Sequence, residues 1–162
     1  MELPTRIILT GGIGTGSTKL NAFDNALLNA GIGNFNLSPV SSVIPPKAKI
    51  IYLAKNSLEK LLPKAGSIVP VVYSCIYGKK LGERITAALA LGIPKDYENY
   101  NGLIFEFAAK DITKNKAERI CKEMVKEAFQ VRNLKIEKIL FTSTDCIVKE
   151  KITCVVAVAL MI

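Results

Sequence analysis

An α/β sandwich is the fold class this sequence predicts, and three observations predict it. Long β-branched runs recur at Ser67–Tyr77, Leu134–Val148 and Lys151–Leu160. Leu103–Ala109 alternates its side chains with the period of a strand, and Lys114–Val131 repeats apolar residues with the period of a helix. A chain of 162 residues, 49% hydrophobic and 22% charged, is long enough to bury an ordered core in one domain spanning residues 1–162. The count comes to two helices and seven or eight strands.

Arg6–Thr10 reads as the first strand, and the glycine-rich stretch Gly11–Lys19 follows it. A phosphate loop would need its lysine directly after Gly16, but Ser17 and Thr18 intervene. A dinucleotide fingerprint would need a glycine at position 17. A flexible connector is therefore expected. Leu20–Ala30 carries Leu20, Phe23, Leu27 and Ala30 at helical spacing, with Thr18 as N-cap and Gly31 as the left-handed residue beyond its end. Asp24 within it is either a favourable charge near the helix N-terminus or a carboxylate at a pocket edge.

Phe35–Val40 and Ala48–Leu53 are expected strands, and Asn56–Leu62 a short helical turn. Arg84–Ile93 reads as a strand closed by Gly92 and Pro94. In Leu103–Ala109, Ile104, Glu106 and Ala108 share one face, opposite Leu103, Phe105, Phe107 and Ala109. The helix Lys114–Val131, capped by Thr113, places Ala117, Ile120, Cys121, Met124, Ala128 and Val131 on one stripe. Leu134–Val148 and Lys151–Leu160 read as a hairpin turning at Lys149-Glu150.

Composition removes several function classes. There is no histidine, so Ser-His-Asp triads, Cys-His pairs and histidine-based zinc sites are excluded. The charge of +8 comes from lysines spread along the chain, and Lys110–Lys126 interleaves with Asp111, Glu118 and Glu123 as a solvated helix face does. No nucleic-acid partner is expected. Cys75, Cys121, Cys146 and Cys154 form no CxxC pair, so no metal is expected; Cys75, Cys146 and Cys154 read as small core residues. The apolar run Ile152–Ile162 is too short to span a bilayer. No membrane partner is expected, and without a leader-like opening segment a reducing cytoplasm is the expected setting.

One short stretch organises the chemistry: Asn34-Phe35-Asn36-Leu37-Ser38-Pro39-Val40-Ser41-Ser42-Val43-Ile44-Pro45-Pro46. Val40 and Val43 favour extended backbone around the paired serines, and Pro45 biases Ile44 away from helix. A serine–serine bond held in one geometry at a strand edge is what backbone self-cleavage requires. This stretch, with Leu20–Asn34 before it and Gly102-Leu103-Ile104-Phe105-Glu106-Phe107 after it, resembles the pyruvoyl-dependent arginine decarboxylases.

The resemblance implies a four-layer α-β-β-α sandwich with mostly antiparallel sheets. It implies that the Ser42 hydroxyl attacks the carbonyl of Ser41, leaving a chain of residues 1–41 and a chain of residues 42–162 that begins with a pyruvoyl group. That group would be the covalent cofactor, with no pyridoxal phosphate. Its carbonyl supplies the electron sink that an amino-acid carbanion needs. L-Arginine would become agmatine and carbon dioxide, feeding polyamine synthesis or consuming acid, in a homotrimer of processed protomers.

Asn36 matches the family's amide near the processing site, a candidate oxyanion donor that also reads as a turn residue. Glu106 matches its proton donor. Between Phe105 and Phe107 it is expected to be desolvated, unless it faces solvent on an edge strand. Leu20 and Val43 would line the pocket, and Asp24 would receive the guanidinium, from the same or an adjacent subunit. Decarboxylation of histidine or aspartate by the same device is the nearest alternative. A non-catalytic oligomeric ligand-binding module is the alternative from another class.

Overall fold

The computed structural model describes residues 3–53, 61–149 and 151–162. The helical turn expected at Asn56–Leu62 falls largely outside them. In chain order the elements are β1 (Arg6–Gly16), α1 (Lys19–Asn29), β2 (Asn36–Pro39), β3 (Val43–Ile44), β4 (Lys49–Tyr52), β5 (Ile68–Gly78), β6 (Arg84–Pro94), β7 (Gly102–Lys110), α2 (Lys114–Val131), β8 (Ile136–Ile147) and β9 (Ile152–Met161).

The strands form two sheets, ordered β2-β5-β9-β1-β4 and β3-β7-β6-β8. Among the described strands only the β1–β4 and β2–β5 pairs are parallel. Three apolar clusters follow from strand alternation. One lies between the sheets, where Ile7, Leu9, Val72, Val155 and Ala157 meet Ile85, Leu89, Leu91 and Ile104. A second packs α1 on the outer face of the larger sheet, and a third packs α2 on the outer face of the smaller. The result is the expected four-layer α-β-β-α sandwich. Among the described residues no helix is long and apolar enough to cross a membrane.

Helix ends behave as their residues dictate. Thr18 caps α1 by accepting a hydrogen bond from the Asn21 N–H at 3.1 Å, and Gly31 takes φ +79° beyond its end. Thr113 caps α2 by accepting from the Lys116 N–H. On α2 the buried residues are Ala117, Cys121, Val125 and Phe129, and Val131 is 79% exposed. The stripe therefore curls toward Phe129, following the 3.6-residue period.

The glycine-rich stretch is not a connector: β1 runs unbroken to Gly16, and α1 lies directly against it. A Cβ on Gly12 would stand 2.1 Å from the Ala26 carbonyl oxygen, and one on Gly14 2.1 Å from the Ala26 nitrogen. Glycines there let helix backbone touch strand backbone, and α1 answers with Ala22 and Ala26 in place of bulk. Leu20, expected on the buried stripe, is 75% exposed.

Among the described residues, β1 pairs with β4 only as far as Leu9, which leaves its later edge without a strand partner. Asn25 and Asn29 donate their side-chain amides to the carbonyls of Thr15 and Ile13, at 2.8 and 2.6 Å, and so cover that edge.

The expected hairpin at the C-terminal end does not form either. β8 pairs with β6 in one sheet, whereas β9 pairs with β1 and β5 in the other. Each run is long and apolar enough to be claimed by its own sheet, so the connection bridges the sandwich. Cys121 and Cys154 are buried, but Cys75 and Cys146 are only half-buried.

The close approach at Gly14 yields a direct test. Gly14→Ala should destabilise the fold by roughly 1–3 kcal/mol, a fall in Tm of about 2–4 °C for each kcal/mol. Thermal unfolding followed by circular dichroism measures it, and an unchanged Tm would refute the contact.

Candidate active site

The paired serines sit where the chain leaves one sheet for the other. β2 is the edge strand of the larger sheet and β3 the edge strand of the smaller, and residues 40–42 cross between them. One backbone hydrogen bond anchors each side of the crossing. The Val40 N–H donates to the Val71 carbonyl at 3.0 Å in the larger sheet. The Ile104 N–H donates to the Ser42 carbonyl at 2.8 Å in the smaller.

β3 is two residues long and pairs only with Leu103 and Gly102. Among the described residues, β7 has no strand partner on this side beyond that point, nor has β5 beyond Val71, where β2 ends. The two edges face one another across a cavity of about 500 Å³ lined by Val40, Val72, Tyr73, Cys75, Glu106 and Phe107 among others. Ser74, buried on β5, donates its hydroxyl to the Phe107 carbonyl at 2.9 Å and fixes the spacing of the edges beside Glu106. This hydrogen bond escaped the sequence reading. Its signal was a hydroxyl at an inward position of an otherwise apolar strand.

The Ser42 hydroxyl lies 3.5 Å from Oε2 of Glu106, at the outer limit of a hydrogen bond. Residues 64 positions apart in sequence are thus brought side by side, a little outside the roughly 2.6–3.2 Å of direct proton transfer. The setting of Glu106 differs from expectation. Phe105 and Phe107 pack beneath α2, on the opposite face of β7, so they do not enclose the carboxylate, which is exposed in the protomer. Strand alternation is the reason: neighbours in sequence point to opposite sides of a sheet.

Asn36 is likewise not brought to the serine pair. Its side-chain amide donates to the Gly66 carbonyl at 2.8 Å, at the far end of β2. Val43 adjoins Ser42 and is 48% exposed. Leu20 and Asp24 lie on the exposed side of α1, so the larger sheet separates them from the gap between the sheets. With Leu28 they form a stripe at i, i+4 and i+8. Burial pushes the thiol of Cys75 above its ordinary range, so it makes a poor nucleophile at the cavity wall. Among the described residues no group of three or more potential metal ligands is gathered.

These residues fit a pyruvoyl group. A serine stands at a backbone crossing, a carboxylate is within reach of its hydroxyl, and an open cavity lies alongside. The same fold occurs in a solved pyruvoyl-dependent histidine decarboxylase, which matches with a TM-score of 0.51 at 16% identity over 62% of this chain and 52% of that one. That likeness is one of fold.

The sequence comparison is narrower. The profile of the family pyruvoyl-dependent arginine decarboxylase (PvlArgDC) matches residues 6–162. Pyruvoyl-dependent arginine decarboxylases from Methanocaldococcus jannaschii and Pyrococcus abyssi are each 42% identical over 158 residues, 98% of this chain and 90% and 95% of theirs. The chain belongs to the pyruvoyl-dependent arginine decarboxylase family.

Proposed function

We propose that this protein cuts its own backbone between Ser41 and Ser42 and then decarboxylates L-arginine to agmatine. The observation that carries the reading is the Ser42 hydroxyl 3.5 Å from Glu106 at the crossing between sheets, in a chain of this family. Glu106 takes the hydroxyl proton as Ser42 Oγ attacks the Ser41 carbonyl. The same carboxyl later stands where the α-carbon of a bound amino acid must regain a proton once carbon dioxide has left. A pyruvoyl group formed at Ser42 would supply the carbonyl electron sink that decarboxylation of an amino acid needs. The four free cysteines suit a reducing cytoplasm.

Asp24 cannot serve the Ser42 site of its own protomer from the far side of the larger sheet. We assign it to a neighbour's site in a homotrimer, where Leu20 and Leu28 flank it on the docking face. There its carboxylate receives the guanidinium through a forked pair of charge-assisted hydrogen bonds. Asn36 is assigned no step within the protomer.

Intact-mass measurement tests the processing. The wild-type protein should give two chains, residues 1–41 and 42–162, the larger with its first serine converted to pyruvoyl. Ser42→Ala should remain a single chain of about 17.6 kDa. An uncut wild-type chain would sink the reading.

Asp24→Asn should lower kcat/KM for arginine roughly 10–100-fold, from about 1.5–3 kcal/mol of charge-assisted bonding, while self-cleavage proceeds. Oligomers mixed from Asp24→Asn and Ser42→Ala protomers should regain activity, because some sites then pair an intact Asp24 with an intact Ser42. No recovery on mixing would place Asp24 outside the neighbour's site.

A further inference from the structure

Self-cleavage needs a donor for the oxyanion that forms on the Ser41 carbonyl, and the amide of Asn36 is occupied elsewhere. We propose that the backbone N–H of Val43 is that donor. It already donates to the Ser41 carbonyl oxygen at 2.8 Å, closing a three-residue turn around Ser42. This inference rests on the self-processing reading above and names the group that drives its first step.

The pairing of β3 leaves this N–H free for the task. In an antiparallel pair the hydrogen-bonding positions alternate along each strand. Ser42 is bonded to Ile104, and Val43 stands opposite Leu103, so the Val43 N–H points away from β7 and back at Ser41. Both neighbours are fixed, with Ser42 held by Ile104 and Ile44 fully buried opposite Gly102. The donor is therefore positioned before the reaction starts, which is when an oxyanion donor is most effective.

The step balances without a co-reactant. The Ser42 Oγ–H proton passes to the Glu106 carboxylate, and an Oγ–C bond forms at the Ser41 carbonyl. The electron pair displaced from the C=O bond rests on the oxygen facing the Val43 N–H. When the carbonyl re-forms, the C–N bond breaks and the Ser42 nitrogen takes up the proton from Glu106, leaving an ester between Ser41 and the Ser42 side chain. A base then takes the Cα proton of Ser42, a Cα=Cβ bond forms and the Cβ–Oγ bond breaks, releasing the Ser41 carboxylate and so the 1–41 chain. The dehydroalanine left behind takes a proton at Cβ to become an imine, and a water molecule replaces its nitrogen, which leaves as ammonia, to give the pyruvoyl group.

The direct test replaces the Ser42–Val43 amide by an ester, installing 2-hydroxy-3-methylbutanoic acid at position 43 so that the side chain stays and the N–H is lost. Val43→Pro serves as a second route to the same deletion. Appearance of the 1–41 fragment is followed by mass spectrometry, and folding is checked by circular dichroism and thermal unfolding.

Cleavage should slow by about 10²–10³-fold, the range for losing one oxyanion donor, in whichever variant retains the wild-type fold. A folded variant that cleaves within about threefold of the wild-type rate, well short of that loss, overturns the proposal. If the wild-type chain itself does not cleave, the self-processing reading fails instead, so the two failures are distinguishable.

Discussion

Two backbone hydrogen bonds, one into each sheet, fix the strand crossing on which the site depends. Val40 is tied to Val71 and Ser42 to Ile104, so the bond between Ser41 and Ser42 spans the gap between two independently rigid layers. The rigidity comes from the inter-sheet core, in which residues from β1, β5 and β9 pack against β6 and β7 with almost no exposure. A flexible loop could present the same serines, but it would not hold a hydroxyl, a carboxylate and a carbonyl in one arrangement. The topology would also let the proposed cut leave the fold intact. β1 lies between β9 and β4, and β2 lies along β5, so the fragment before Ser42 remains paired into a sheet built mainly by the rest of the chain.

A second constraint is the bare surface of β1. Gly12 and Gly14 bring α1 down to backbone contact with the larger sheet, and Ala22 and Ala26 complete the fit. Small residues used inward leave the outward face of the helix free for larger ones. There Leu20, Asp24 and Leu28 stand exposed in one line, an arrangement that suits contact with another protomer better than solvent. The fold thus keeps two candidate regions apart: the serine pair with Glu106 at the sandwich edge, and Asp24 on the helix layer.

Much of this was legible in the sequence where local rules decide. Thr18 and Thr113 cap the helices they were expected to cap, and the strand runs appear where β-branched residues accumulate. The serine pair stood out because valine and proline constrain the backbone around it. Local rules failed where partners distant in sequence decide. Gly11 to Gly16 has the composition of a loop, and only the backbone of α1 across the sheet explains why it is a strand. β8 and β9 are adjacent in sequence with a polar turn between them, yet the two sheets claim them separately. Phe105 and Phe107 flank Glu106 in sequence while packing on the other side of β7. The Val43 N–H was invisible for a simpler reason: every residue but proline has one, and only the fold decides where it points.

The central claim is that the fold itself makes the Ser41–Ser42 bond breakable. It is tested most directly by comparing the cleavage rate of freshly synthesised precursor in native buffer with that of the same chain kept in concentrated guanidinium chloride. The account expects the bond to break only where the sandwich has formed, with the denatured chain remaining whole over the same period. Equal rates in the two conditions would contradict it, because the hydroxyl would then need neither Glu106 nor the crossing between sheets to cut the chain.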